Sequence, residues 1–211
     1  RSASFDARLR DFAGGGNFST PDGSRVVAWR NATVDRYNRL IRRVVFGPQA
    51  EDEFWLPGDR IVTESACKNL DGKKIADTGD EGTIERVEVE AHPEYSDMLC
   101  FRLTVMTDDN QLIVLRPLHH SSVGVFNRQC EELAQRAKTE NKRLWGAFWA
   151  LKEAFHSVRH GYAITAHKSQ GSTYESAFVD FRDILINRNV VEARRCLYVA
   201  CTRPKYQLFL N

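Results

Sequence analysis

Two segments near the C-terminal end of the chain combine residue types that bind phosphate groups. Residues 165–173 read TAHKSQGST and place hydroxyl groups, an imidazole, a lysine and a glycine directly after an apolar stretch. Such a loop offers backbone N–H groups and short side-chain donors to phosphate oxygens. The alternative is a polar surface loop with a turn glycine, and the composition of the loop alone does not separate the two.

The second segment, 194–203, reads RRCLYVACTR and ends on Arg203, just beyond a predicted apolar helix. An arginine at this position can complement the negative C-terminal end of the helix dipole. It can also act as an arginine finger, which stabilises charge on a nucleotide held by another domain. Both interpretations remain open from the local pattern.

A third pair of polar residues, Arg30 and Asn31, follows the apolar run Val26–Trp29. A guanidinium, an amide and a helix N-terminus can together hold a phosphate, although Asn31 could equally be an ordinary helix N-cap. The surrounding stretch from Arg25 to Arg43 contains six arginines and one acidic residue. It predicts either contact with a polyphosphate backbone or a solvated helix face.

Predicted strands and helices alternate in the N-terminal and C-terminal parts of the chain. These elements must position the three polar segments. Val26–Trp29 reads as a buried strand, and apolar residues at helical spacing follow it from Asn31. The same alternation resumes near the C-terminus, with strands at 162–165, 177–181 and 207–210 and a helix at 190–200. In open α/β sheets ligands bind beyond the carboxyl ends of the strands, and the three polar segments lie there or on the helix nearby.

The middle of the chain is rich in short strands separated by turn signals such as Pro57-Gly58-Asp59 and Asp108-Asp109-Asn110. The pattern predicts a small antiparallel barrel of SH3-like size, followed by helical periodicity in two pieces. The predicted strands are Arg60–Thr63, Gly82–Ala91, Leu99–Thr107 and Gln111–Leu115. The predicted parts of the chain are 1–47, the insert at 48–124, a helical return segment at 125–160, and 161–211.

Three motifs of this chain together resemble superfamily-one DNA helicases of the RecD/Dda-like branch. VVAWRNATVDRYN at 26–38 is similar to motif IV, AITAHKSQG at 163–171 to motif V, and RRCLYVACTR at 194–203 to motif VI. The resemblance implies the C-terminal half of such a helicase, with a UvrD-like helicase C-terminal domain. The implied fold is α/β, a RecA-like parallel-sheet domain of the P-loop NTPase type, interrupted by the SH3-like β-barrel insert.

The resemblance also implies roles for individual residues. Arg203 corresponds to the catalytic arginine finger, and Gln170 and Gly171, with Arg203, to nucleotide-binding positions. The implied DNA-binding residues are Arg30, Asn31, Thr165, His167 and Lys168. Many UvrD-type relatives have a ribose-contacting glutamate near the end of motif V, where this chain has Thr173, so ribose contact through the loop is in doubt.

The chain lacks a G-x-x-x-x-G-K-[ST] phosphate-binding loop, because Gly72-Lys73 has neither the earlier glycine nor the hydroxyl residue. The resemblance therefore implies that ATP and Mg²⁺ are bound mainly by an N-terminal half outside this sequence. The opening residues, Arg1 to Phe5, lack an initiator methionine, which agrees with a start inside a longer protein. We expect the chain by itself neither to hydrolyse ATP nor to unwind DNA.

The implied partners are single-stranded and fork DNA, with 5′ to 3′ movement, and the N-terminal RecA-like domain of the same protein. Replication or recombination proteins could bind through the insert. Two other functions remain open from the sequence. One is a RecD-type subunit of a helicase–nuclease, and the other is a non-catalytic module that binds single-stranded DNA or a partner protein.

The bulk composition limits the class of protein and the compartment that we expect for it. Hydrophobic residues make up 42% of the 211 residues and charged residues 27%, and no apolar run approaches the roughly 20 residues that span a bilayer. Five scattered cysteines without a C-x-x-C pair indicate free thiols in a reducing compartment. We therefore expect a cytoplasmic protein of a bacterial or phage-infected cell, without a membrane role and without a metal site.

Two minor signals have competing explanations. His119-His120 and Asp108-Asp109 could suggest a metal, but a strand end and a hairpin turn account for them better. The aromatic stretch 144–149, LWGAFW, could provide a stacking surface for bases through Trp145, Phe148 and Trp149. Helical spacing of these rings favours packing in a core instead.

Overall fold

Two compact units make up the described chain, residues 4–21 and 23–211 of this computed structural model. Unit 1 joins the chain up to Ile61 with His160–Asn211, and unit 2 comprises Val62–Arg159. The sequence placed 48–61 in the insert and 125–160 in a separate return segment. In the structure, 48–61 lies in unit 1 and the helices of 125–159 lie in unit 2 with the strands. The division of the chain into the functional parts 1–47, 48–124, 125–160 and 161–211 stays a prediction.

Helices and strands cover most of the described residues. The helices are α1 (Phe5–Gly14), α2 (Asn31–Phe46), α3 (Gln49–Asp52), α4 (Val123–Thr139), α5 (Leu144–Ala154), α6 (Phe181–Leu185) and α7 (Val190–Cys201). The strands are β1 (Ser24–Ala28), β2 (Arg60–Thr63), β3 (Cys67–Lys68), β4 (Lys74–Ala76), β5 (Glu81–Ala91), β6 (Leu99–Thr107), β7 (Leu112–Leu115), β8 (Val158–His160), β9 (Ala163–Thr165), β10 (Tyr174–Val179) and β11 (Pro204–Leu210).

Unit 1 contains a four-stranded parallel sheet in the order β11-β10-β1-β9. Strand β1 is buried along its whole length, as expected for a central parallel strand covered on both faces. Strands β1 and β9, which pair directly, are separated in the chain by unit 2. The α/β class with a parallel sheet is therefore confirmed.

The two faces of this sheet are covered by different helices. Alternate residues of a strand point to opposite faces, so Val26 and Ala28 lie in one core cluster and Val27 in another. The first cluster packs against α1 and α2, and the second against α6 and α7. Unit 1 thus has three layers, with the sheet in the middle.

The N-terminal segment contributes more to the core than its composition predicts. The sequence there indicates a linker or loop with a short helical piece. In the structure α1 begins at Phe5, and Ser4 is its N-cap, because the Ser4 side chain accepts a hydrogen bond from the Ala7 N–H. Leu9 and Ala13 of α1 are buried, and the Phe12 ring meets the Phe178 ring edge to face. The apolar face of α1 therefore closes one side of the sheet.

Unit 2 holds most of a five-stranded sheet in the order β7-β6-β5-β2-β8 and a two-stranded ribbon of β3 and β4. Strands β5, β6 and β7 are antiparallel, and a turn at Asp108–Asn110 connects β6 to β7. Helices α4 and α5 pack over Met98 and Cys100. The four strands predicted here are present, and their SH3-like arrangement stays a prediction.

The main boundary error in unit 1 concerns β10, predicted at 177–181 but observed at Tyr174–Val179. The strand ends there because the side chain of Asp180 accepts a hydrogen bond from the Asp183 N–H and thereby caps α6. Phe181 is consequently the first residue of a helix. None of the helices within residues 4–21 and 23–211 combines the length and hydropathy needed to cross a membrane.

Candidate functional site

The carboxyl ends of three parallel strands meet at one edge of the unit 1 sheet. Ala28 of β1 pairs with Thr165 of β9, and the Ala166 N–H donates to the Ala28 carbonyl oxygen at 2.8 Å. On the other side of β1, the Asp180 N–H donates to the Val27 carbonyl oxygen at 2.9 Å. The loops that follow β1, β9 and β10 therefore leave the sheet side by side. The motif IV and motif V residues are together, as strand-end positions predict.

Asp183 of α6 fixes the loop after β1. Its carboxylate accepts hydrogen bonds from the backbone N–H groups of Trp29 and Arg30, both at 2.9 Å, and from the Thr33 hydroxyl at 2.7 Å. The Arg30 Nε donates to the same carboxylate at 2.6 Å. This buried anion at the beginning of α2 holds the two backbone N–H groups that precede the helix and complements the positive end of the helix dipole.

The positions of Arg30 and Asn31 differ from the simplest interpretation of the sequence. Arg30, rather than Asn31, is the N-cap residue of α2, and its own side chain makes no capping bond. The Arg30 guanidinium is paired with Asp183, yet half of its side chain remains exposed. Asn31 is the first residue of the helix and is exposed. Asn31 is therefore not the N-cap, and Asp183 holds the residues just before the helix.

Replacing Asp183 by alanine is expected to destabilise the protein by about 2 to 3 kcal/mol at neutral pH, because two partly buried backbone N–H groups and the buried Thr33 hydroxyl lose their acceptor. Burial by itself raises the pKa of Asp183, but the hydrogen bonds from Arg30, Thr33 and Trp29 outweigh it, so the pKa lies below the ordinary value of 3.8. The stabilisation is therefore complete above that value and is lost as the pH falls through the lower pKa of the folded protein. Urea unfolding at pH 7 and at progressively lower pH measures both effects.

A matched control is Asp52→Ala, because Asp52 is exposed. We expect little change in its free energy of unfolding. An Asp183→Ala protein as stable as the unchanged chain at pH 7 would show that the carboxylate does not hold the loop.

The loop at 166–173, after β9, has a rigid base and an exposed tip. Ser169 is fully buried, and its hydroxyl donates to the Ala166 carbonyl oxygen at 2.8 Å. His167, Lys168 and Gln170 flank it and are exposed. The buried hydroxyl was not among the site residues that the sequence indicated. It holds the backbone so that the flanking polar side chains face solvent.

Gly171 has a φ of +95°, which a side-chain-bearing residue rarely adopts, and no heavy atom would lie within 4 Å of an added Cβ. The conformation, rather than a lack of space, requires glycine at this position. Thr165 is half-buried, and its hydroxyl accepts a hydrogen bond from the Lys168 N–H at 3.4 Å. Thr165 therefore helps to hold the conformation of the turn that follows β9.

Arg203 connects the end of α7 to the same loop. Its Nε donates to the Val199 carbonyl oxygen at 3.1 Å, and its Nη1 donates to the Ser172 carbonyl oxygen at 3.3 Å. Its Nη2 donates to the Thr202 hydroxyl at 3.5 Å. The first contact satisfies a carbonyl of the last helical turn, as the helix-dipole interpretation predicts. The second places the guanidinium against the loop that contains Gln170 and Gly171.

The arginine-rich stretch from Arg25 to Arg43 does not place all six arginines on one surface. Arg25 lies in β1 and is fully buried, and Arg42 is also buried, with its Nε 2.9 Å from an Asp59 carboxylate oxygen. Arg36 lies 3.7 Å from an Asp180 oxygen but stays half exposed. Charge counting overestimated this surface because two of the six arginines point into the protein.

A buried polar cluster around Asp59 also escaped the sequence interpretation. Asp59 accepts hydrogen bonds from Arg42 and from the Tyr162 hydroxyl, the latter at 2.9 Å. Burial lowers the pKa of the neighbouring His160 to about 4, so this imidazole is neutral near pH 7. Only a turn was predicted at Asp59. The cluster anchors α2 to the start of β9 within unit 1.

The minor signals in unit 2 have structural explanations. Asp108 and Asp109 lie in the predicted hairpin turn, and His119 caps a short 3-10 helix by accepting a hydrogen bond from the Ser121 N–H. Phe148 packs against the unit 2 core, whereas the Trp149 side chain is 54% exposed. Packing explains Phe148, and exposure leaves Trp149 as a candidate stacking surface.

Comparison with known proteins finds similarity to helicases. Residues 160–210 match the model of the UvrD-like helicase C-terminal domain. The ATP-dependent DNA helicase dda of Enterobacteria phage T4 is 28% identical over 210 residues, which cover 88% of this chain and 46% of that protein. An uncharacterized protein of Acanthamoeba polyphaga mimivirus is 20% identical over 230 residues, covering 87% and 46%. The chain thus spans about half the length of these relatives.

Solved structures of low sequence identity also align with the chain. Bacteroides Pif1 bound to ssDNA has a TM-score of 0.48 and 13% identity, covering 100% of this chain and 49% of that one. Pif1 helicase from Candida albicans has a TM-score of 0.47 and 11% identity, covering 97% and 52%.

Proposed function

We propose that this chain, which resembles the C-terminal half of superfamily-one DNA helicases, is the half of an ATP-dependent motor that grips DNA and supplies an arginine finger. The observation that carries the proposal is that the motif V loop begins beside the motif IV residues at the carboxyl edge of the sheet and ends against Arg203 of motif VI, just before β11. Ala28 and Thr165 pair at the carboxyl edge, and the Arg203 guanidinium contacts Ser172, near the end of the loop that follows Thr165. DNA-contacting and nucleotide-contacting residues thus share one short loop.

The DNA-gripping part of the proposal rests on exposed polar side chains that a buried frame holds. His167 and Lys168 are exposed over the buried Ser169, and Arg30 is oriented by Asp183 with half of its side chain in solvent. Cationic and polar groups presented in this way bind phosphates without reading sequence. The full set proposed to contact single-stranded DNA is Arg30, Asn31, Thr165, His167 and Lys168.

The nucleotide part rests on the donors that remain on Arg203. A guanidinium carries five N–H donors, and the contacts to Val199, Ser172 and Thr202 within the described chain occupy one donor each. Two donors are left for a phosphate, while the backbone contacts fix the plane of the guanidinium. Arg203 would stabilise negative charge on the γ-phosphate of ATP, beside Gln170 and Gly171.

ATP and Mg²⁺ would be held mainly by an N-terminal RecA-like half of the same protein, since this chain has no phosphate-binding loop of its own. When bound there, ATP would supply the free energy through its hydrolysis, and Mg²⁺ would neutralise charge on the phosphates. This chain would stabilise negative charge on the nucleotide through Arg203 and would bind the DNA strand. Movement 5′ to 3′, action at fork DNA, and contact of the insert with replication or recombination proteins belong to the same proposal.

Steady-state ATP turnover tests this division of labour. The purified chain 1–211 is expected to show no turnover above a buffer control, with or without single-stranded DNA. A protein that joins it to an N-terminal half with a phosphate-binding loop should hydrolyse ATP and be stimulated by DNA. Turnover by the chain alone would refute the division. Absence of turnover in the joined protein would favour a non-catalytic DNA-binding module instead.

A further inference from the structure

Three potential metal ligands meet where the loop after β9 contacts α7. The His167 Nε2 lies 3.4 Å from a Glu192 carboxylate oxygen and 3.9 Å from the Cys196 Sγ. One ligand atom from each residue lies within 4.8 Å of the other two. Among the described residues, this is the one group of three histidine, cysteine or acidic side chains that comes together in this way.

The fold holds the three side chains in this arrangement for separate reasons. Glu192 and Cys196 are four residues apart on α7 and therefore share one face of the helix. The start of that helix is fixed by the Asn189 side chain, which accepts a hydrogen bond from the Glu192 N–H. Cys196 and Ala166, the residue before His167, are buried in the same core cluster. The His167 imidazole thus projects from a loop whose first residue, Ala166, is packed against α7.

The two separations from the His167 Nε2 are close to those of a tetrahedral transition-metal site. Bond lengths of about 2.1 Å to nitrogen, 2.0 Å to oxygen and 2.3 Å to sulfur put tetrahedral ligands about 3.4 Å (N to O) and 3.6 Å (N to S) apart. The observed separations from His167 are 3.4 and 3.9 Å. We propose that His167, Glu192 and Cys196 form a site for a single divalent transition-metal ion of the zinc type.

The donor set favours zinc over the magnesium that accompanies ATP. Thiolate and imidazole suit zinc, whereas magnesium requires oxygen ligands in octahedral geometry. Burial and the charge of Glu192 raise the pKa of the Cys196 thiol, so the metal must displace the proton as it forms the metal–sulfur bond. Three protein ligands leave a fourth position for water, and the exposed side of His167 opens to solvent.

The cysteine count predicted no zinc site, because cysteine spacing reveals only sites in which several cysteines participate. This site uses one cysteine, and its histidine lies 25 residues or more from the other two ligands. A bound ion would fasten the loop after β9 to α7, the helix that ends two residues before Arg203. The proposal concerns metal binding alone and does not rest on a helicase function.

Cobalt(II) is the probe for the test, because a cobalt–thiolate bond produces a charge-transfer absorption in the near ultraviolet. Reduced chain 1–211, stripped of metal with a chelator, is titrated with CoCl₂. We expect one equivalent to bind with a thiolate band and tetrahedral visible bands. Zinc chloride should then displace the cobalt and abolish both. Absence of a thiolate band in the reduced, folded chain would overturn the proposal.

Matched variants distinguish this site from other cysteines and from nonspecific binding. Cys196→Ser should lose the thiolate band, whereas Cys201→Ser, at the end of the same helix, should retain it. Glu192→Gln and His167→Ala, at more exposed positions, should each weaken cobalt binding by at least about tenfold, since even loss of a residue supporting a ligand costs about 10- to 100-fold. Retention of the full band in Cys196→Ser, or unchanged affinity in both exposed variants, would contradict the assignment.

Discussion

Arg203→Ala is expected to lower the ATP turnover of the joined protein by about 10³- to 10⁵-fold, the range that arginine fingers contribute. The loss would occur in kcat, because the guanidinium stabilises charge that develops during phosphoryl transfer. Affinity for single-stranded DNA should stay within about twofold of the unchanged protein, since the proposed DNA-contacting residues are retained. The measurements are DNA-stimulated steady-state turnover and a DNA-binding titration on the same preparations.

Two further variants make this result specific. Arg203→Lys keeps a positive charge but loses the planar donor pattern and should remain severely impaired. Arg188→Ala removes an exposed arginine just before α7 and should leave turnover unchanged. Near-normal turnover in Arg203→Ala, with an unchanged circular dichroism spectrum of the whole protein, would leave the arginine with the helix-capping role alone.

Asp59→Ala should destabilise the chain by about 3 to 5 kcal/mol, the largest stability effect we expect. Asp59 is fully buried, and its carboxylate accepts two hydrogen bonds from the buried Arg42, at 2.9 and 3.0 Å. Removing one partner leaves a buried charge without compensation. Urea unfolding followed by fluorescence reports the change, because Trp55 lies beside the cluster, 4.5 Å from His160 between ring centroids.

A double-mutant cycle separates loss of the pair from loss of packing. Asp59→Ala combined with Arg42→Met should be less destabilising than the sum of the two single changes, because the double variant leaves no unpaired charge. The adjacent pair of Arg43 with Glu51 is exposed on both sides, so Glu51→Gln should cause little change. Strict additivity of the buried pair would contradict the charge explanation.

Local sequence patterns predicted the secondary structure well where they were strong. The apolar run at Val26–Trp29 became the buried strand β1, and α7 begins at the predicted Val190. Predicted strands at Arg60–Thr63 and Leu99–Thr107 have the observed bounds. Strands β3, β4 and β8 were missed because two or three residues show no usable periodicity. The motif-based resemblance to superfamily-one helicases is confirmed by the family match at 160–210.

Long-range polar contacts were the part that the sequence could not reveal. Asp183 and Arg30 are 153 residues apart in the chain, and no local pattern indicates that an acid of α6 binds the loop before α2. Asp183 does follow a strand end, but placing the end of β10 two residues late hid that signal. Glu192 reads as an ordinary helix-start acid, and its proximity to His167 depends on tertiary packing. Sequence therefore indicated the candidate residues, and the fold supplied the side chains that orient them.

Binding of single-stranded DNA to the chain 1–211 tests the central claim most directly. A labelled oligonucleotide is titrated in the presence of a chelator, so that no metal ion occupies His167. The account predicts salt-dependent binding that weakens about tenfold in His167→Ala, as the loss of a hydrogen bond to a charged phosphate entails. His120→Ala, an exposed histidine of unit 2, should bind as the unchanged chain does. Equal affinity of His167→Ala and the unchanged chain, or no binding at low salt, would contradict the account.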